Sequence, residues 1–216
     1  MKEVYRIAVD GPSGAGKSTI AKSVAKRLDI DYIDTGAMYR AVAYKAREAG
    51  VDFGDRQAVR DMLEDTDIDF VKGSLILDGE VVNDKIRTSE ISRLASVCSA
   101  VPEVREKLVE LQRAMGAKKS VIMDGRDIGT NVLKDAEYKI FLTASAEERA
   151  DRRYRELIER GEKISYDEVL ADIQKRDYND TTRKLNPLRK ADDAIEIDTT
   201  GLDISEVIEC VLKEIN

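Results

Sequence analysis

The string Gly11-Pro12-Ser13-Gly14-Ala15-Gly16-Lys17-Ser18 limits the folds open to this chain more than any other stretch. It follows the apolar run Val4 to Val9 and Asp10, and it precedes Ile20, Val24 and Leu28 at helical spacing. The local order is strand, glycine-rich loop, helix. Glycines let a backbone wrap closely round a small anion, and the free N–H groups with the helix dipole favour negative charge. Lys17 suits the β and γ phosphates of a nucleotide, and the Ser18 hydroxyl suits Mg²⁺. ATP or GTP binding is the reading, with Gly11, Pro12, Ser13, Gly14, Ala15, Gly16, Lys17, Ser18 and Thr19 as the contact set.

The next segments repeat the pattern. "IDYIDTG" reads as a short strand ending in a turn, and Ala37 to Ala49 reads as a helix stopped by Gly50. Two βα units in succession predict a parallel sheet covered by helices. From Asp67 the grammar changes: "IDFVKGSLILDGEVVND" gives β-rich runs with Asp78-Gly79 as a hairpin turn, an antiparallel insertion. Pro102 then suits the start of a helix whose face is Val104, Leu108, Leu111 and Met115. "SVIMD" and "YKIFLTA" read as buried strands, and charged helices are expected over about 146–160 and 166–179. "DAIEIDTTG" supplies a last strand, and Ile204, Val207, Ile208, Val211, Leu212 and Ile215 make one face of a closing helix.

Length and charge exclude several classes. The 216 residues suit one large domain with subdomains, and a net charge of −7 argues against a nucleic-acid or membrane surface. No window approaches a membrane span, and "MKEVYR" leads straight into a strand instead of a signal-peptide apolar region, so a cytoplasmic protein is expected. The two cysteines, Cys98 and Cys210, are far apart and are expected to be reduced, largely buried thiols. There is no histidine, which removes the commonest general base and most zinc chemistry. Catalysis would rest on Lys, Arg, Asp, backbone amides and an added metal.

The loop alone leaves a GTPase, a motor ATPase and a small-molecule kinase open. No Asn-Lys-x-Asp string supports a GTPase, while Asp124 after "VIM" could serve a motor as a water-orienting acid. "DTGAMYR" and "DGRDIGT" each begin at the carboxyl end of a predicted strand, where open α/β sheets place ligands. "ERADRRYRELIERGEK" spaces Arg149, Arg152, Arg153, Arg155 and Arg160 along one helix; Arg149 and Arg153 are read as phosphate ligands, Arg155 and Arg160 as a solvated face laced with Glu. "KRDYNDTTRKLNPL" places Arg176 and Arg183 on either side of Asp180.

Together "DGPSGAGKST", "DTGAMYRA", "DGRDIGT", "KIFLTAS.EERA.RR" and "RD..D..R...PL..A.DAI.ID" resemble the bacterial cytidylate kinases along essentially the whole chain. The resemblance implies an α/β fold: a P-loop kinase core with a five-stranded parallel sheet flanked by helices, a nucleoside-monophosphate-binding subdomain enlarged by the antiparallel insertion, and a short lid. The implied bounds are core 1–35, 117–147 and 164–216, subdomain 36–116 and lid 148–163. It places Thr35, Tyr39 and Arg40 around the acceptor nucleotide, with Arg87 and Ser96 on the same side. Arg105, Arg126 and Asp127 look like the cytosine reader, and Arg176, Asp180 and Arg183 the phosphate and ribose contacts, Asp180 being the partner for a hydroxyl. Lys17, Arg126, Arg183, Arg149 and Arg153 would be catalytic. The residue after the loop lysine varies in the family, so Ser18 should assist Mg²⁺ without being indispensable. The implied reaction passes the γ-phosphoryl group of ATP to CMP or dCMP, in a monomer with no nucleic-acid or membrane partner. Rival readings are a kinase for UMP, AMP or a hydroxy acid, and a nucleotide-gated switch that hydrolyses ATP slowly.

Overall fold

Uninterrupted aliphatic runs become the central strands. The computed structural model describes residues 5–71 and 73–215, so Val4 of the first expected strand lies outside the described residues. The chain divides into two compact units, Met1–Asp31 with Ser120–Asn216, and Tyr32–Lys119.

In the first unit β1 (Arg6–Asp10) runs parallel between β6 (Val121–Gly125) and β7 (Tyr138–Thr143), and β8 (Ile195–Asp198) pairs parallel with β7. With β2 (Asp31–Asp34) these form a five-stranded sheet in the order β2-β6-β1-β7-β8. Ile7, Ala8 and Val9 of β1 and Val121, Ile122 and Met123 of β6 are apolar and buried on both faces, as a helix-covered parallel strand requires. α1 (Lys17–Leu28) buries Ile20, Ala21, Val24 and Ala25, and α8 (Ile204–Ile215) buries Val207, Ile208, Val211, Leu212 and Ile215. Two expectations fail on α8. Ile204, in its first turn, is 56% exposed, and Cys210 lies off the apolar stripe and is exposed, although Cys98 is buried as expected. α6 (Ala146–Glu159) and α7 (Tyr166–Thr182) form a hairpin held by Ala150, Leu157, Val169 and Ile173. Ser165 and Glu168 close a reciprocal capping box that starts α7.

In the second unit α2 (Thr35–Ala49) starts directly at the end of β2, without the expected turn, because Asp34 caps it by accepting from the Ala37 N–H. Gly50 ends it at φ 66°. The insertion is a three-stranded antiparallel sheet of β3 (Ile68–Val71), β4 (Ser74–Leu77) and β5 (Glu80–Val81). Asp78 at φ 50° and Gly79 at φ 83° make the expected primed turn. Two helices were not read from the sequence. α3 (Arg56–Glu64) is short and highly charged, capped by Asp55 and tied down where Arg56 and Arg60 both donate to Glu103. α4 (Ser89–Cys98) is capped by Thr88. α5 (Pro102–Gly116) starts at Pro102 as expected, but its buried side is Val104, Arg105, Leu108, Val109 and Gln112. Leu111 and Met115 are only half-buried, so the face is rotated from an apolar stripe toward one that carries two polar residues.

Candidate active site

In the first unit the loop after β1 takes the shape its glycines allow. Gly11 has φ 149°, and a β-carbon there would lie 2.0 Å from the Leu142 carbonyl oxygen, so the close approach to β7 admits no side chain. Gly16 caps α1 in the left-handed conformation with no side-chain bond, which leaves the first helical amides to an external acceptor. Lys17 is buried and its Nζ donates to the Pro12 carbonyl at 2.7 Å. Burial and then Arg126 push its ammonium down to about 7, against the pull of Asp124, Asp180 and Asp10. The Ser18 hydroxyl donates to Asp124 Oδ2 at 2.8 Å, which sets a hydroxyl and a carboxylate beside the loop.

The end of β6 is locked to the same loop through Asp10. Its two carboxylate oxygens accept from the Ile128 and Gly129 N–H groups, each at 2.8 Å. Burial raises Asp10 to about 6, and those two amides hold it back from rising further. The π-helical turn Ile128–Val132 follows, with Asp127 immediately before it. There Arg183 Nη2 donates to Asp127 Oδ1 at 3.0 Å and Asn131 Nδ2 donates to Asp127 Oδ2 at 3.0 Å. Arg126 Nε donates to Asp180 Oδ2 at 2.7 Å. Burial opposes the Arg126 charge, but Asp180, Asp124 and Asp177 outweigh it and hold the guanidinium above its ordinary value.

Arg149 is buried, with Nη1 and Nη2 donating to both oxygens of Asp177 at 3.1 and 2.6 Å. Its Nη1 also donates to the Ser13 carbonyl of the loop at 2.9 Å. Arg153, one turn on, is half-buried and pairs with Glu156, while Arg155 pairs with Asp151 on the exposed face. Arg176 pairs with Asp172, and its Nε is buried without a partner among the described residues. Burial lowers the Arg176 guanidinium, with Arg153 and Arg126 acting in the same direction.

The second unit groups the other expected residues around α2. Arg40 Nη2 donates to Asp34 Oδ2 at 3.0 Å, and Arg40 Nε is buried without a partner among the described residues. Thr35 is buried at the first turn of α2. The Arg105 guanidinium lies 5.7 Å over the Tyr39 ring and donates to the Ser99 carbonyl at 3.3 Å. Ser96 is half-buried on α4, and Arg87 is exposed just before that helix.

Within each unit the expected residues are neighbours: Lys17, Ser18, Arg126, Asp127, Arg149, Asp180 and Arg183 in the first, Thr35, Tyr39, Arg40 and Arg105 in the second. Sequence reading passed over Asp10, Asp34 and Asp177, and weighed Asp124 only as a motor acid. The signal for two of them was present, since Asp10 ends the first strand before the loop and Asp34 opens "DTG". Asp177 had none, because its role depends on α6 packing against α7.

A parallel sheet with a glycine-rich phosphate loop at the end of its central strand, a hydroxyl–carboxylate pair beside it and buried arginines facing aspartates is a P-loop phosphotransferase. Residues 7–216 match the family model described as cytidylate kinase. A cytidylate kinase of Clostridioides difficile (strain 630) is 54% identical over 210 residues, 97% of each chain. One from Carboxydothermus hydrogenoformans is 52% identical over 212 residues, 96% of each chain. This chain belongs to the cytidylate kinase family. In fold alone it is similar to an uncharacterized protein from Eubacterium ventriosum ATCC 27560, with a TM-score of 0.55 at 15% identity over 98% of this chain and 97% of that one.

Proposed function

We propose that the chain transfers the γ-phosphoryl group of ATP to CMP, and to dCMP, giving the diphosphate and ADP. The observation that carries this is the joint presence, in one unit, of the Lys17 loop and the Arg126–Asp180 and Arg183–Asp127 pairs. Family membership supplies the acceptor. A phosphate monoester is already anionic near neutral pH, so no general base is needed, and a chain without histidine is equal to the task.

Family membership and the contacts above support these roles. Amides from Gly11 to Thr19 cradle the triphosphate, and Lys17 exchanges its Pro12 carbonyl for phosphate oxygens. Ser18 and Asp124 offer two oxygen donors that fit a hard cation, and they would hold the Mg²⁺ that arrives with the nucleotide. When bound, that ion would supply positive charge to offset the charge of the triphosphate. Arg126, Arg183 and Arg153 neutralise the group in transfer, and Arg149 braces the loop through Ser13 as well as adding charge. Arg40 takes the acceptor phosphate, Arg176 and Asp180 join the phosphate and ribose contacts with Asp180 on a hydroxyl, and Thr35, Tyr39, Arg87 and Ser96 line the acceptor. Asp127 and Arg126 in the first unit, and Arg105 in the second, are each assigned to cytosine: a carboxylate matches the N4 amino group and would repel O4 of uracil. Residues 36–116 serve as the acceptor subdomain and 148–163 as the lid.

ADP release measured with CMP, dCMP, UMP, AMP and shikimate as acceptors tests the reading. Strong turnover with CMP and dCMP, weak turnover with UMP and none with the others is expected. Slow turnover indifferent to every acceptor would overturn it. Asp127→Asn should narrow the CMP to UMP preference by about tenfold to a hundredfold, the cost of one mispaired buried polar group.

A further inference from the structure

Behind the π-helical turn the first unit holds a cavity of about 350 Å³ that the proposed reaction does not use. Gly129, Thr130, Lys134, Arg189, Lys190, Ala191, Asp192 and Asp193 line it. Its charges do not cancel. Asp193 Oδ2 accepts from the buried Lys139 Nζ at 2.7 Å, and the same ammonium donates to the Lys134 carbonyl at 2.6 Å, so one of the two acids is already neutralised. Lys190 pairs with Glu196 at 2.9 Å across an exposed surface, an exchangeable contact. Lys134, Arg189 and the Thr130 hydroxyl have no side-chain partner among the described residues. The cavity therefore presents a guanidinium fork, an ammonium point charge and a hydroxyl against a single uncompensated carboxylate, Asp192.

We propose that this cavity is a second anion site, separate from the phosphate loop, for a compact phosphate or pyrophosphate group. The volume lies at the low end for small-molecule pockets, enough for pyrophosphate and too little to enclose a whole nucleotide. Arg189 can grip two oxygens side by side, Lys134 adds a second positive charge and Thr130 donates one further bond. The floor is stiff: the Lys139 stem runs against Gly129, where an added β-carbon would come within 3.2 Å of its Cδ. That floor is also joined to the phosphate loop, because the Gly129 N–H donates to Asp10, the residue immediately before Gly11. An anion held between Lys134 and Arg189 would clamp the turn after β6 to the segment before β8, and would so steady the Asp10 contact.

Calorimetric titration of the full chain with inorganic pyrophosphate separates this site from the loop. Lys17→Ala, which removes the loop ammonium, should keep one saturable site. Adding Lys134→Gln and Arg189→Gln should weaken that site about tenfold or more, the effect of losing charge-assisted bonds. The Lys134→Gln/Arg189→Gln protein with Lys17 intact should retain wild-type turnover, since both side chains are exposed and outside the catalytic set. Loss of all pyrophosphate binding in Lys17→Ala, or undiminished binding after the double substitution, would overturn the proposal. If Lys17→Ala does not fold, wild-type protein saturated with ADP and CMP serves in its place, with the same two outcomes. A nucleoside triphosphate run in parallel identifies the source: the Lys134→Gln/Arg189→Gln protein with Lys17 intact should bind it as the wild type does, and a matching loss of triphosphate affinity would overturn the assignment to a free anion.

Discussion

Each arginine proposed to meet the acceptor or transferring phosphate and shown with an ion pair is tethered to an acid: Arg40 to Asp34, Arg126 to Asp180, Arg176 to Asp172, Arg183 to Asp127, Arg149 to Asp177 and Arg153 to Glu156. A guanidinium has five N–H donors, so an acid that takes one or two fixes the plane of the fork and leaves the rest for phosphate. The acids thus orient the arginines before substrate arrives and lower the entropy lost on binding. Arg183→Ala should lower kcat/KM by about a hundredfold to a thousandfold, ~3–4 kcal/mol, and a loss below fivefold would remove Arg183 from the proposed machinery. Lys17 supplies a second residue-scale prediction. Its ammonium is held at about 7 in the free protein against an ordinary 10.5, so unfolding takes up a proton between those values, and its contribution to stability falls as pH drops from 10.5 toward 7 and is level below. Phosphates restore the charge, so MgADP binding at pH 8.5 should take up close to one proton, and at pH 6 almost none. Calorimetry in buffers of different ionisation enthalpy measures this, and equal uptake at the two pH values would contradict it.

At the scale of elements, the segment 148–163 proposed as a lid is nearly all of α6 with the turn that follows. Its inner side is packed on α7 through Ala150, Leu157, Val169 and Ile173, so the two helices should move as one hairpin about their ends and not as a floppy loop. Arg149 ties the base of that hairpin to Ser13 of the phosphate loop and to Asp177. Closure over bound nucleotides should then protect the whole stretch, since water admitted to the site would hydrolyse ATP. Amide exchange across Arg149 to Lys163 should slow with ADP and CMP bound together and change little with CMP alone. Comparable exchange in all states would defeat the lid reading.

At the scale of the molecule, MgATP has its proposed contacts in the unit that contains β1, so it should stabilise that unit by mass action, about 2.7 kcal/mol at a hundred times Kd. Thermal unfolding with and without nucleotide checks this, and Lys17→Ala should abolish most of the rise. How far the sequence reached is clearest in particular residues. Gly11 to Ser18, the Asp78-Gly79 turn, the Pro102 start and the Gly50 stop were legible because each is local chemistry: a positive φ, a missing N–H, an amide cradle within a few residues. The apolar runs of β1 and β6 were legible because a strand buried on both faces must be continuous. α3 was not, since it is only nine residues long, buries just Val59, Met62 and Leu63, and is tied down by ion pairs to the distant Glu103. Cys210 and Leu111 were misjudged because composition says that a residue is apolar and only packing says which side of a helix is covered. The pairs Ser18 with Asp124, Arg126 with Asp180 and Arg183 with Asp127 join positions 106, 54 and 56 residues apart. By itself the sequence determined the phosphate loop, the alternating architecture and the list of arginines. Only the tertiary structure decided which aspartate steers each arginine, because those partnerships depend on where parallel strands and crossover helices bring distant side chains.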